Sequence, residues 1–122
     1  MEKEEYYLCF QAGGYFLAVS LDQILQVREI SGDEEDVFDL SKYLSGRESE
    51  GNYLLEINVG GEKRNILVEK IEPIRDFNLA IWLNFPEIMR NEKNRVIKGF
   101  FFDGMRIFSL IDFNQFDFNS KN

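Results

Sequence analysis

The side chains of this chain that could do chemistry are mostly carboxylates. The 122-residue sequence has 22 acidic residues, one cysteine and no histidine. The lack of histidine excludes Ser-His and Cys-His nucleophiles and any histidine-bound metal. Asp103 and Asp112 could serve as acid–base groups, but carboxylate pairs occur by chance in any acidic chain. The acidic run at residues 33–36 lacks the alternating ligands and central glycine of a calcium loop, which favours a solvated loop. We therefore predict no catalytic residue, no metal and no cofactor.

Charge and cysteine content limit the partners and the compartment. A formal net charge of −8 argues against nucleic acid, whose phosphates are neutralised by Lys and Arg, and against an anionic membrane surface. The single cysteine, Cys9, cannot form an internal disulfide, which fits a reducing compartment. No signal-peptide pattern is present, and no apolar run approaches the roughly 18 residues that span a bilayer. We expect a cytoplasmic protein that neither binds nucleic acid nor inserts into a membrane.

The chain contains an internal repeat. Segments 8–30 and 55–77 align without a gap at an offset of 47 residues. In each, two apolar segments flank a Gly-Gly pair, and an aliphatic–acid pair, two apolar positions and an Arg–acid pair follow. The matched residues include Gly13-Gly14 with Gly60-Gly61, Ile24 with Ile71, Val27 with Ile74 and Arg28 with Arg75. The repeat predicts one domain, residues 1–122, built from two related β-subdomains at about 6–50 and 51–118. The repeated Arg–acid pairs could form a mirrored pair of salt bridges.

The turn residues predict an all-β or mainly β fold with short helical turns. Each Gly-Gly pair suits a two-residue hairpin, because glycine adopts positive φ without a Cβ clash. An Asp103-Gly104 turn predicts a third hairpin, between residues 97–102 and 105–111. Pro73 indicates a turn or a sheet edge. A short helical turn capped by Asp39 is expected at residues 39–44, and residues 78–94 are expected to form a loop with a helical turn at 86–90.

The two halves end alike but differ in length. Residues 37–43 align with residues 110–116, as two apolar residues, Asp, one apolar, two polar and one aromatic residue. In the first half, six residues separate this closing element from the repeat. In the second half thirty-two residues do, and they include the Asp103-Gly104 hairpin. The first half therefore lacks a counterpart of that hairpin.

In order and spacing, these segments resemble the CheW-like domain family of bacterial chemotaxis. The matching motifs are Leu8-Cys9-Phe10-Gln11-Ala12-Gly13-Gly14, Ala18-Val19-Ser20-Leu21, Ile24-Leu25-Gln26-Val27, Phe38-Asp39-Leu40 with Leu44, Ile66-Leu67-Val68-Glu69-Lys70-Ile71, Gly99-Phe100-Phe101-Phe102-Asp103-Gly104 and Leu110-Ile111-Asp112. The resemblance implies two packed SH3-like β-barrels, the first one reduced. It also implies a non-enzymatic adaptor that joins chemoreceptor tips to a histidine kinase, whose regulatory domain has the same fold.

The chain departs from the family pattern in its first half. Typical members carry a hairpin with an Asn-Leu-Arg-Gly sequence before the first closing element, and no equivalent is present here. Gln26 stands where the family commonly has Glu, and Glu69 replaces the usual Asp. One hypothesis is a specialised adaptor that binds one partner but cannot bridge two.

The resemblance suggests protein partners and contact residues. The partners would be a histidine kinase's CheW-like regulatory domain, a chemoreceptor's cytoplasmic tip or another CheW-like protein. Candidate contacts are Ile24, Val27, Ile71, Ile74, Trp82 and Phe101, each of which could instead be a core residue. Residues 100–102, three consecutive phenylalanines, predict either a strand buried between the barrels or an aromatic docking site. Two alternatives are a small β-barrel that binds a low-molecular-weight ligand, and a homodimer paired through the open edge of the first barrel.

Overall fold

Ten strands and one α-helix form the structured part of the chain, which a computed structural model describes for residues 5–34, 36–48, 51–92 and 94–118. The strands are β1 Tyr7–Ala12, β2 Tyr15–Ser20, β3 Ile24–Glu29, β4 Val37–Asp39, β5 Tyr53–Val59, β6 Glu62–Val68, β7 Lys70–Arg75, β8 Ile81–Asn84, β9 Ile97–Phe102 and β10 Ile107–Ile111. Helix α1 is Leu40–Ser45, and 3-10 turns lie at Leu21–Gln23, Glu87–Met89 and Phe113–Gln115. This mainly β content confirms the predicted fold class.

The two Gly-Gly pairs form the predicted hairpins. All four glycines have positive φ, between 59° and 85°, as a two-residue turn requires. β1 pairs with β2 and β5 with β6, both antiparallel. Tyr7 lies opposite Ser20, and their repeat equivalents Leu54 and Leu67 lie opposite each other, so the two hairpins also share one register.

The strand that follows each hairpin pairs with the other hairpin. β3 pairs with β5, and β7 pairs with β1. Ile24 lies opposite Ile57 and Ile71 lies opposite Phe10, which are equivalent positions of the repeat. Each pairing also has a register shift close to these residues. The sequence repeat therefore corresponds to a repeated pattern of strand pairing. The two halves of the sequence are joined because β3 and β7 each pair with the hairpin of the other half.

The predicted closing elements also occupy equivalent places. β4 runs parallel to β6 with Val37 opposite Asn65, and β10 runs parallel to β2 with Leu110 opposite Ala18. Each closing strand then leads into a short helical turn whose N-cap is an aspartate. Asp39 accepts from the Lys42 amide, and Asp112 accepts from the Asn114 amide.

The strands form a six-stranded sheet in the order β7-β1-β2-β10-β9-β8 and a four-stranded sheet in the order β3-β5-β6-β4. Because β3 and β7 are exchanged, each sheet takes strands from both sides of the boundary predicted at residues 50 and 51. Within the described residues, β9 and β8 have no counterpart in the four-stranded sheet, where β4 is the last strand.

The main hydrophobic core joins the two sheets. The six-stranded sheet contributes Leu8, Phe10, Leu17, Val19 and Ile111, and the four-stranded sheet contributes Leu55, Ile57, Ile66 and Val68. Leu40 of α1 and the aromatic rings of Phe113 and Phe116 also belong to this cluster. Full burial of such a side chain stabilises the fold by roughly 1.5–3 kcal/mol. The core therefore holds the two sheets together.

A second core covers part of the six-stranded sheet with aromatic rings. It contains Tyr7, Cys9, Ala18, Phe77, Phe108 and Leu110, with Phe16, Ala80 and Phe101 at its border. The four-stranded sheet has Glu56 and Asn65 at the repeat positions of Cys9 and Ala18. The six-stranded sheet, which has the extra strands, thus places Cys9 and Ala18 within an aromatic cluster, where the four-stranded sheet has polar residues.

Two segments differ from their predictions. Residues 81–84 form strand β8 where a loop was expected, although the helical turn after Pro86 is present. Residues 100–102 belong to β9, which lies between β10 and β8 rather than between two barrels. Phe101 stacks on Phe77 with ring centroids 4.4 Å apart, while Phe100 stacks on Phe85 at 5.7 Å. The three phenylalanines of β9 are half-buried. Pro73 lies in β7, which is the first strand of its sheet, as predicted.

Candidate interaction surfaces

Ile24 and Ile71, two of the predicted contact residues, lie at the border of the core. They occupy equivalent positions at or near the start of β3 and β7. Both are half-buried and pack against the main hydrophobic core. Each of the two side chains therefore contacts the core on one side and remains partly accessible to solvent on the other.

Val27 and Ile74 are more accessible than the preceding pair. They are 38% and 52% exposed, and they occupy equivalent positions on β3 and β7. Both strands terminate their sheets. The repeat therefore places one exposed aliphatic side chain on a terminal strand of each sheet.

Trp82 and Phe101 are brought together by strand pairing. Trp82 lies opposite Phe101 in the β8–β9 ladder, with ring centroids 4.9 Å apart. The indole Nε1 donates to Asn84 Oδ1 at 2.8 Å, and 40% of the Trp82 surface is exposed. Phe101 continues inward to Phe77 and Tyr7. Trp82 thus packs on Phe101 at the border of the second core.

Sequence reasoning missed two exposed residues beside Trp82. Ile81 and Leu83, also on β8, are 59% and 46% exposed. Leu79, Ile88 and Met89 are exposed next to this strand in the chain. The available signal was the run of ten residues from 77 to 86 without any charge, in a chain that is 30% charged.

An apolar row crosses the end of the six-stranded sheet. Ile81 lies opposite Phe102, and Phe102 lies opposite Ile107. Residues that face each other on neighbouring strands point to the same side of a sheet. Ile107 is exposed and Phe102 is half-buried. The row therefore adds apolar surface next to β8.

The predicted pair of arginine salt bridges is present, with partners further along the chain than the adjacent acids. Arg28 Nη1 lies 2.6 Å from Glu34 Oε1, and Arg75 Nη1 lies 2.7 Å from Asp103 Oδ2. The guanidinium of Arg75 also lies over the rings of Phe77 and Phe108. The two ion pairs therefore connect a loop to β3 and a loop to β7, which are equivalent strands of the repeat.

Both acidic partners have lowered pKa values. The pKa of Glu34 is lowered by hydrogen bonds from the Ser31 hydroxyl and amide and from Arg28. The pKa of Asp103 is lowered by the Arg106 amide, then by Arg75 and the Met105 amide. Glu34, part of the acidic run, thus organises its own loop, while Glu35 lies outside the described residues.

The four-stranded sheet carries an ionic cluster on β5 and its neighbours. Glu56 is buried, and its carboxylate lies 2.7 Å from Lys63 Nζ and 3.8 Å from Arg28 Nε. The hydrogen bond from Lys63 is the main cause of the lowered pKa of Glu56. Asn65 Oδ1 is buried without a hydrogen-bond partner. This surface is polar where the other sheet has aromatic rings.

The carboxylates considered for acid–base chemistry have structural partners. Asp103 holds the β9–β10 turn through the amides of Met105 and Arg106, besides its ion pair with Arg75. Asp112 accepts from Gln23 Nε2 at 2.7 Å as well as capping its turn. Burial raises the pKa of the Cys9 thiol to about 12, which keeps the thiol protonated.

No group of three or more cysteine or acidic side chains that could hold a metal ion occurs among the described residues. The same part of the chain has no helix that is long and apolar enough to cross a membrane. A depression open to solvent is lined by Gly13, Gly14, Ser45, Arg47, Glu48 and Glu69. Glu69 in it accepts from the Ser41 hydroxyl at 2.8 Å and the Gly13 amide at 3.2 Å. Its carboxylate thus links the first hairpin turn to α1.

Comparison of sequences identifies no matching family model and no matching curated protein. Comparison of structures does find similar folds. One is the crystal structure of the scaffolding protein TtCheW from Thermoanaerobacter tengcongensis. The similarity covers 90% of each chain with a TM-score of 0.67, at 12% sequence identity. The chain has a CheW-like fold. The CheW-like resemblance suggested by order and spacing of motifs is thereby confirmed at the level of the fold.

Proposed function

We propose that this protein is a cytoplasmic, non-enzymatic adaptor in bacterial chemosensory signalling. The observation that carries the proposal is the CheW-like fold, shared over 90% of the chain with a scaffolding protein. The roles of the carboxylates and the cysteine agree with it, because turn formation, helix capping and burial account for Asp103, Asp112 and Cys9. Its partners would be the CheW-like regulatory domain of a histidine kinase, a chemoreceptor tip or another CheW-like protein.

The exposed aliphatic residues on β3 and β7 supply candidate contacts. Val27 and Ile74 lie at equivalent places on the terminal strands of both sheets. Ile24 and Ile71 lie near them and connect each surface to the core. A buried apolar anchor supplies much of the binding energy at protein interfaces. Trp82, backed by Phe101, provides a third candidate anchor on β8.

The difference between the two sheets favours an adaptor that binds one partner. The end of the six-stranded sheet offers aromatic and aliphatic surface, whereas Glu56, Lys63 and Arg28 form an ionic cluster on the four-stranded sheet. A partner that buried this cluster would have to desolvate its charges, which offsets much of the gain from contact. We therefore propose that the six-stranded sheet, with its apolar end at β8, makes the stronger contact.

A binding experiment tests both parts of this proposal. The purified CheW-like regulatory domain of a histidine kinase and a chemoreceptor tip fragment, both from the same organism, would be titrated with the full chain by calorimetry. We expect one of them to bind, and Ile74→Glu, on the six-stranded sheet, to weaken that binding at least tenfold, whereas Val27→Glu, on the four-stranded sheet, should weaken it less. Met105→Glu, which changes an exposed turn residue, is the matched control. Equal binding to both would rule out the one-partner adaptor, and binding to neither would overturn the adaptor proposal.

A further inference from the structure

The strands that end the two sheets differ in how they are protected against pairing with other chains. Within the described residues these terminal strands are β3, β4, β7 and β8. An open strand edge presents backbone groups that can add another strand. Natural proteins block such edges with charged residues, proline, bulges or short length.

Three of these terminal strands carry protecting features. β3 contains Arg28 and Glu29, and β7 contains Pro73 together with two basic and one acidic residue. β4 has three residues and follows Asp36. A second copy that approached β4 about a two-fold axis would place acidic residues near their twins. This charge pattern disfavours the dimer through the first edge that the sequence suggested.

β8 is one residue longer than β4 and contains no charged residue, proline or bulge. Its sequence is Ile81-Trp82-Leu83-Asn84, and all four residues are exposed. The ladder to β9 runs through these four residues in regular register, from Ile81 opposite Phe102 to Asn84 opposite Gly99. The strand is therefore extended and regular, with apolar side chains and an accessible outer edge.

We propose that two copies of this chain form a homodimer in which their β8 strands pair antiparallel about a two-fold axis. The two six-stranded sheets would then become one continuous sheet. This inference goes beyond the adaptor function and does not rest on it.

Self-pairing is favoured by the charge around β8. Residues 77–111 contain five basic and three acidic residues, a net charge of +2. Because the whole chain has a net charge of −8, the other residues together carry −10. Contact through β8 brings uncharged strands together and keeps the strongly acidic parts of the two copies apart. Contact through the remaining surface would meet stronger repulsion.

The side-chain pattern of β8 is also self-complementary. A two-fold axis perpendicular to the sheet keeps each face on the same side, so opposed residues must have the same parity. An axis through Trp82 sets Trp82 opposite its twin and Ile81 opposite Leu83 of the second copy. The opposed pairs formed by these three residues are then aromatic or aliphatic, as in stabilising cross-strand pairs. The apolar row of Ile81, Phe102 and Ile107 continues into the second copy.

Sedimentation equilibrium over a wide concentration range tests the dimer. We expect a concentration-dependent dimer for the natural chain, and a shift of at least tenfold toward monomer for Leu83→Lys. Met105→Lys makes the same change of charge at an exposed turn and should leave the dimer intact. Val37→Lys, on β4, should also leave it intact. A natural chain that stays monomeric throughout, or a dimer that is lost in Val37→Lys but not in Leu83→Lys, would overturn the proposal.

Cysteine cross-linking tests the strand geometry without relying on loss of assembly. Cys9→Ala removes the natural thiol, and single cysteines are then placed at 81, 82, 83 and 84. In an antiparallel two-fold pair only the residue on the axis faces itself, so Trp82→Cys should give the highest yield of disulfide-linked dimer under mild oxidation. A maximum at Leu83→Cys would move the axis by one residue and still support β8 pairing. Low and equal yields at all four positions would contradict it, given circular dichroism showing that each variant is folded.

Discussion

The indole of Trp82 lies across Gly99 on the neighbouring strand. A Cβ placed on Gly99 would overlap the indole carbons Cζ2 and Cη2 and would lie 2.7 Å from the Leu83 carbonyl oxygen. Gly99 has no positive φ, so backbone conformation does not require glycine here. The close approach of the indole requires it instead, because a larger residue would clash. This contact lets Trp82 rest against the sheet and pack on Phe101 while β8 pairs with β9.

Gly99→Ala should therefore destabilise the protein and loosen β8. We expect a loss of about 1–3 kcal/mol in the free energy of unfolding, the usual cost of overpacking, measured by urea denaturation. Lys98→Ala, on the same strand and exposed, is the matched control. Adding Trp82→Leu to Gly99→Ala should recover part of the loss. A double variant that is less stable than both single variants would contradict this role for the indole.

The sequence allowed the hairpins and the repeat to be predicted because both have local causes. The Gly13-Gly14 and Gly60-Gly61 turns need positive φ, and alternating side chains fix the strands beside them. The exchange of β3 and β7 could not be predicted from the local sequence, because the two similar hairpins offer each of these strands chemically similar pairing partners. Pairing within one repeat and pairing across repeats would have left the same pattern in the sequence.

The candidate surfaces were predictable only in part. Val27 and Ile74 were among the contacts that the family resemblance suggested, and the structure leaves both exposed, while their role as contacts stays a prediction. Strand β8 was missed because Ile81, Trp82 and Leu83 are consecutive apolar residues without alternation. Its pairing depends on Gly99, fifteen residues beyond Asn84, which no local pattern indicates. The acidic partners of Arg28 and Arg75 were missed for a similar reason. The loops that carry these acids approach β3 and β7 only in the folded chain.

Asp103 should make stability depend on pH in the acid range. Its pKa is lowered in the folded state by the Arg106 amide and by Arg75, so its contribution is present above the ordinary pKa, roughly 3.9, and is lost as the pH falls below it. Asp103→Asn should lower the melting temperature more at pH 7 than at pH 3. Asp33→Asn, at an exposed position, serves as the control. The same decrease at both pH values would show that the charge of Asp103 is unimportant.

Asn65 offers a test of the polar face of the four-stranded sheet. Its Oδ1 is buried without a hydrogen-bond partner, and the repeat places Ala18 at the equivalent position. Asn65→Ala removes an unsatisfied polar atom, so we expect a change between zero and a gain of about 1 kcal/mol in the free energy of unfolding. Urea denaturation measures it, with the exposed Asn58→Ala as reference. A loss above about 1 kcal/mol would instead mean that the Asn65 amide makes a favourable interaction.

Cys9 reports on the opening of the second core. The thiol is buried beneath the aromatic cluster, and burial raises its pKa to about 12, so it should react very slowly with a disulfide reagent at pH 8 in the folded protein. Because the raised pKa favours the protonated thiol in the folded state, stability should fall as the pH rises above the ordinary thiol pKa, roughly 8.5. Phe77→Ala removes a ring that packs in this core and should speed the reaction at least tenfold. Ile88→Ala, on the exposed turn after β8, should leave the rate unchanged. Fast reaction in the natural chain under folding conditions would mean that the aromatic cluster opens readily around β1.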